Sequence, residues 1–194
     1  MKKFLLASVI SLTSISPAHA INYNIDPAHT DVSFKVRHLG ISNVRGQFID
    51  FSGTIEFDPE NIEASKTDVT IKTSSIDTKN EKRDKHLRSD DFFDSAKKPV
   101  MSFKSTKVTN VKDKSFDVLG DLTLNNITKP VTLAVVHTGS VIDPWGNQRV
   151  GFEASASINR KDFGLVWSKV LETGQLVVAK DVQINIALEA IKEK

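Results

Sequence analysis

Beyond the first twenty residues the side chains best suited to proton transfer near neutral pH are the histidines at 29, 38, 86 and 137. No two of them stand at a spacing that would hold a metal ion together. Asp84 and His86 are two apart, so on a helix they point to different sides. Asp90, Asp91 and Asp94 form an acidic cluster that helix capping explains better than metal binding. The chain has no cysteine. That excludes a disulfide framework, a thiolate zinc site, an iron–sulfur cluster, a thiol nucleophile and a cysteine-attached lipid anchor. It has no G-x-S-x-G elbow and no phosphate-cradling glycine loop. No catalytic residue, metal site or cofactor is therefore assigned. Three polar residues stand out by position instead. His38 continues the alternation Val32, Phe34, Val36; His137 continues Val131, Leu133, Val135; and Arg160 continues Phe152, Ala154, Ala156, Ile158. Each could hydrogen-bond a polar group at the mouth of a cavity, or could simply leave its strand and meet solvent.

Those apolar alternations run through almost the whole chain and predict the elements that position the three residues. Apolar and polar residues alternate over about eight segments: 32–36, 51–57, 68–72, 101–104, 116–124, 131–135, 150–158 and 182–188. This is the pattern of antiparallel strands with one dry and one wet face. Asn125-Asn126 and Lys112-Asp113-Lys114 suit hairpin turns, and 143–147 a longer one. Phe48 is out of step with Phe51, which predicts a bulge or bend at Ile49-Asp50. Thr78 to Glu81 reads as a capping box, with Thr78 as N-cap of a short charged helix ending near Arg88.

The 194 residues, 39% hydrophobic and 26% charged, suit one globular domain. The first twenty have the form of a secretory signal peptide: Lys2 and Lys3, an apolar stretch, then Ala18-His19-Ala20 with cleavage expected after Ala20. The apolar stretch is too short to span a bilayer. Loss of the two lysines takes the formal net charge from +2 to zero, so residues 21–194 carry no overall field for nucleic acid or anionic lipid. An exported, cysteine-free chain is expected in a periplasm.

Eight antiparallel strands in one domain can form a sandwich or a barrel, and closure into a barrel removes exposed edges. The outward positions are Lys, Asp, Thr, Ser and Glu, which excludes an outer-membrane barrel with its apolar band. The inward register includes Phe34, Val36, Phe48, Phe103, Val118, Leu122, Leu133, Val135, Ile184 and Ile186, together with Phe152, Ala154, Ala156 and Ile158. Ala154, Ala156 and Gly120 leave room at mid-strand unless Phe34, Phe103 and Phe116 cross from other walls and fill it. Phe163, Leu165 and Trp167 follow the seventh strand and are candidates for a lid, or for a plug closing one barrel end.

The order and spacing of several short motifs resemble the YceI-like family of bacterial polyisoprenoid-binding proteins. They run from Tyr23-Asn24-Ile25-Asp26 and 34–40, through Gly46-Gln47-Phe48, 51–53 and 57–59, to the strongest piece, 83–89 followed by Asp91-Phe92-Phe93. They continue through 120–124 and 128–131 to Gly151-Phe152, Asn159-Arg160 and 162–165. The resemblance implies an all-β, lipocalin-like eight-stranded antiparallel β-barrel with one short helix near its mouth. It implies a long-chain isoprenoid or similar lipid held inside the barrel. On the reading of the strand faces, the inward residues named above, together with Phe163 and Trp167, are then the candidates to line it, and His38, His137 and Arg160 the candidates for its head group. The resemblance also implies a periplasmic or secreted location, a homodimer in some members, and no catalytic residues. Transient contact with a membrane or a membrane enzyme is compatible with such a role. Two other functions stay open: an enzyme acting on the bound lipid with His38 or His137 as base, and an interaction protein whose barrel is packed solid.

Overall fold

The computed structural model describes residues 20–172, 174 and 176–194. The expected signal peptide, apart from Ala20, lies outside the described residues. Among the described residues eleven strands join in one antiparallel sheet, and they make eight passes. β1 (Ile21–Ile25) and β2 (Asp31–His38) form the first pass, β3 (Ser42–Phe48) and β4 (Phe51–Phe57) the second, and β5 (Lys66–Lys72) with the two-residue β6 (Ile76–Asp77) the third. β7 (Val100–Lys112), β8 (Ser115–Leu124), β9 (Ile127–Ile142), β10 (Gln148–Asn159) and β11 (Val178–Lys192) complete the set. Each pass pairs with the next in sequence. β11 closes the ring on the first pass, with Asn24 opposite Ile191 and Phe34 opposite Ile184. The result is an up-and-down barrel with no free edge along most of its wall, the barrel rather than the sandwich of the two architectures the alternation allows.

The first three passes are split for local reasons. Asp26 accepts from the Ala28 amide and starts a 3₁₀ turn over Pro27–His29, which lifts the chain off β11 between β1 and β2. At Ile49-Asp50 two consecutive residues face solvent, so Phe48 and Phe51 both point inward. The bend expected there is the device that keeps both rings in the core. β7 and β9 are longer than the alternation suggests, at 13 and 16 residues. Register shifts after Ser105 and at Gly151 interrupt the period that would have revealed their full length.

One α-helix, α1 (Glu81–Arg88), follows β6. Its cap differs from the expectation. Asn80, not Thr78, is the N-cap and accepts from the Arg83 amide at 3.0 Å. Lys79 has φ +58, outside helical space, so a helix cannot begin at Thr78. The Thr78 hydroxyl instead donates to Asp84 and accepts from Arg83 Nε at 2.7 Å.

Packing differs between the two barrel ends. Tyr23, Phe57, Val150 and Ala190 fill the end that holds the C-terminus. Phe48, Ile76, Met101, Leu124, Phe163 and Leu165 form a second cluster at the α1 end. Gly120 does not make a void, because Phe103 occupies its place: a Cβ there would lie 2.4 Å from Phe103 Cζ and 2.6 Å from the Lys104 carbonyl oxygen. Gly46 holds the Phe34 ring in the same way, at 2.5 Å. These rings lie against the wall over a glycine rather than crossing the lumen. Gly120→Ala is therefore expected to cost about 1–3 kcal/mol, since a backbone carbonyl must move as well as the ring. Chemical denaturation checks it, and an unchanged midpoint refutes the close approach.

Outside the barrel Arg149 ties three carboxylates. Its Nε donates to Asp143 at 2.7 Å and its Nη1 to Asp26 at 2.9 Å, with Glu189 on the same Nη1. Hydrogen bonds from Arg149 and then Asn147 hold the Asp143 carboxyl well below the usual carboxylate range. His29, and then Arg149, lowers that of Asp26. Groups with depressed values stabilise the fold above the ordinary carboxylate pKa of about 4 and lose that contribution as pH falls. Arg149→Met should lower Tm at neutral pH and flatten the acid side of the Tm–pH curve. Parallel acid limbs in variant and wild type would disprove the linkage.

Candidate binding cavity

The inward faces of the passes enclose an apolar cavity of about 270 Å³. Its wall extends from Phe57, Val108 and Phe116 near the terminal end to Leu124, Leu165 and Val178 near the α1 end. The barrel is hollow, and its lining is almost entirely hydrocarbon. Apart from Arg160, the polar side chains on the wall have partners elsewhere, Ser65 accepting from the Asp58 amide. Thr30 donates to the Glu189 carbonyl, Ser33 to that of Asn185 and Thr67 to that of Thr54, while the exposed ammonium of Lys66 turns to Glu56 at 3.4 Å. No His, Asp or Glu lies on the wall among the described residues.

Of the inward residues expected from alternation, Phe34, Val36, Phe48, Phe103, Val118, Leu122, Leu133, Val135, Phe152, Ala154, Ile158, Ile184 and Ile186 all face this cavity. Ala156 does not reach it. Phe163, 2% exposed, packs behind the wall with Phe48 and Leu124 rather than lining it. Trp167 lies farther out. Its ring meets His86 at 5.0 Å and Phe92 at 5.2 Å, and so latches the segment after β10 onto the α1 segment. Of the three lid candidates only Leu165 lines the cavity.

The sequence pattern missed the residues that α1 and its exit bring in: Leu87, Phe92 and Phe93. Leu87 is the one apolar side chain in the helix, and that isolation is the signal that could have found it. Phe93 meets Phe48 edge-on at 5.7 Å, so the helix exit closes over the barrel wall. A clasp holds this cover in place. Asp84, 7% exposed, accepts from the Thr78 amide at 3.0 Å and from its hydroxyl, while Arg83 Nη2 donates to the Thr78 carbonyl at 2.8 Å. Arg88 adds bonds to the Ser74 and Ile76 carbonyls.

The three polar candidates do not share one mouth. His38 ends β2 at the α1 end, half-buried, opposite Val178, and is off the cavity wall. His137 stands at the other end, on β9 beyond Val135. Its ring packs on Phe57 at 4.8 Å and Phe152 at 5.4 Å, and burial lowers its pKa. Arg160 alone is both buried, 3% exposed, and on the cavity wall. It does not leave the strand to meet solvent. Its Nε donates to the Ala179 carbonyl at 2.9 Å, Nη2 to Val178 at 3.2 Å and Nη1 to Leu165.

Comparison with known proteins agrees with this architecture. Residues 23–190 match the family model described as the YceI-like domain. Protein YceI of Escherichia coli O157:H7 is 43% identical over 198 residues, covering all of both chains. The crystal structure of the YCEI protein of Campylobacter jejuni is 34% identical, with a TM-score of 0.72 and full coverage of both chains. A domain from Saccharophagus degradans, described as polyisoprenoid binding, has a TM-score of 0.63 and 17% identity, over 89% of this chain and 99% of its own. That last likeness is one of fold.

Proposed function

The chain belongs to the YceI-like family, and from that premise we propose that it is a periplasmic carrier that holds the tail of a long-chain isoprenoid or similar lipid inside its barrel. The observation that carries this reading is the cavity: a lumen running much of the barrel's length, lined by hydrocarbon and bordered at the α1 end by Leu87, Phe92 and Phe93. The description of the Saccharophagus degradans fold neighbour as polyisoprenoid binding supports the same ligand class. Long isoprenoids are barred from crossing water by the cost of wetting their chains. Each CH₂ taken out of water contributes about 0.8 kcal/mol, so a dozen buried carbons give on the order of 10 kcal/mol before association and ordering costs. Such contacts have no direction, so the chain is recognised by length and girth more than by its detailed chemistry.

The absence of His, Asp and Glu from the described wall favours carriage over turnover, because a bound chain meets no general base there. Carriage of one lipid by one barrel needs no second copy of the chain. Contact with a donor bilayer belongs to the same reading. Ile41, Val166 and Val170, all more than 60% exposed, leave apolar side chains in solvent at the α1 end, and vesicle co-sedimentation without binding would remove that step. Export is part of the proposal as well, with residues 21–194 as the mature domain, and N-terminal sequencing of the exported protein should begin at Ile21. The deciding experiment is native mass spectrometry of protein taken from its own compartment, then of delipidated protein offered a polyprenol. A bound lipid in the first spectrum, or uptake in the second, is expected. A protein that carries nothing and takes up nothing overturns the reading.

A further inference from the structure

Residues 21–194 have no net charge, but the barrel sorts their charges along its axis. The segments at the α1 end, 35–45, 77–98, 124–129 and 159–181, hold fifteen Lys and Arg against nine Asp and Glu. Those at the opposite end, 21–31, 56–68, 107–117, 137–153 and 187–194, hold seven against thirteen. One end therefore carries an excess of six positive charges and the other an excess of six negative ones. Several acids at the α1 end are already engaged: Asp84 in the clasp, Asp91 with His86 at 2.8 Å and Asp94 with Lys98 at 3.8 Å. Exposed Arg37, Arg45, Lys161 and Lys169 have no carboxylate of the described residues within salt-bridge distance. The exposed apolar side chains of this end lie among those cations. The Leu39 amide donates to the Val177 carbonyl at 2.9 Å, and the Val177 amide to the Lys169 carbonyl at 2.9 Å. The β2–β3 turn, with Ile41 80% exposed, is thereby tied beside the segment that carries Val166 and Val170, and Trp167 joins that segment to α1.

We propose that the α1 end docks on an anionic phospholipid bilayer, and that the charge separation turns the molecule so that the covered end of the lumen faces the membrane. The inference rests on lipid carriage and adds the partner surface and the orientation. Apolar side chains set among unpaired cations suit such a surface: the cations are drawn to the head groups and the apolar tips enter between them. A molecule with no net charge is not pulled as a whole. Its two ends feel the surface potential with opposite sign, so the field orients it within about a Debye length, roughly 8 Å at physiological salt. The opposite end has an apolar tip too, Val141, Ile142 and Trp145 at the β9–β10 hairpin. Its excess of acid repels an anionic surface, so charge decides between the two ends.

The test is co-sedimentation of delipidated protein with vesicles of phosphatidylcholine alone and of phosphatidylcholine mixed with phosphatidylglycerol. Each Lys or Arg near an anionic surface corresponds to roughly fivefold in partitioning. Binding to the mixed vesicles is expected to be tighter by roughly 10- to 100-fold, and to fall toward the phosphatidylcholine value in about 1 M salt. Arg37→Gln combined with Lys169→Gln should lower binding to the mixed vesicles by about 25-fold. Val170→Asp should weaken it as well, while Val141→Asp, at the other end, leaves it unchanged. All four positions are exposed, so the folded barrel is not at stake. Equal binding to both vesicles, or binding indifferent to salt, overturns the anionic assignment. Loss with Val141→Asp but not with Val170→Asp overturns the orientation. Binding to neither vesicle overturns docking altogether. Uptake of a polyprenol from detergent by the same protein, read by native mass spectrometry, tests carriage separately: docking without uptake counts against carriage, and uptake without docking counts against this inference alone.

Discussion

Ala154→Trp is expected to abolish lipid uptake while leaving a folded barrel. Ala154 faces the cavity between its pairing partners Val135 and Ile186, which also line it. An indole at that position projects into the lumen and occupies space the cargo needs. Displacing about five methylene equivalents forfeits on the order of 4 kcal/mol, or roughly a thousandfold in affinity. Overpacking a filled core costs about 1–3 kcal/mol, but here the new ring enters a space that protein atoms do not fill. Stability is therefore expected to change little. The control is Ser155→Trp, one residue along β10, where the side chain points to solvent and uptake should be untouched. Lipid titration followed by native mass spectrometry reads both. A folded Ala154→Trp protein that binds as tightly as wild type would show that the cargo lies elsewhere than the lumen.

The second large effect concerns the cover rather than the cavity. Asp84→Ala removes the acceptor of both the Thr78 amide and the Thr78 hydroxyl, and both residues are buried. Leaving a buried donor unpaired costs about 1–3 kcal/mol. With two donors affected, a loss of roughly 3 kcal/mol is expected, or about 6–12 °C in Tm for a domain of this size. The functional consequence follows from the position of α1. Leu87, Phe92 and Phe93 lie on the cavity wall, and the clasp joins their segment to β6. Loosening it should raise amide exchange over residues 78–93 and speed both loading and release of lipid, with a smaller effect on affinity. Unchanged exchange across that segment in a folded variant would remove the clasp as the element that holds the cover.

The helix also shows how far local sequence rules reach. Its existence was legible at 78–88, but its first turn was not. The capping-box pattern pointed to Thr78, yet Lys79 adopts positive φ and Asn80 takes the capping role. Thr78 instead makes a buried bond to Asp84, six residues on and within the helix itself. Trp167 likewise carried no periodic signal. Its partners His86 and Phe92 are some eighty residues earlier in the chain, and only the closure of the barrel brings them within about 5 Å.

The order of side chains alone determined which residues face inward. A strand points successive side chains to opposite faces, so a period of two in hydrophobicity assigns the faces without knowledge of neighbours. That is why one strand of each of the eight passes, the bend at Ile49-Asp50 and most of the cavity lining could be read directly, while β1, β3 and β6, too short or too polar to show a clear alternation, could not. Whether the inside was hollow could not be, because it depends on how rings from different walls share one space. The glycines decided it: Phe34 and Phe103 fold down over Gly46 and Gly120, a pairing set by cross-strand register, and so leave the lumen open. The same holds for the three polar candidates. Each ends an apolar stripe in the same manner, but only barrel closure sends His137 to one end, leaves His38 off the wall and buries Arg160 on it. Those placements arise from antiparallel direction and strand stagger, which are properties of the closed ring and of no single strand.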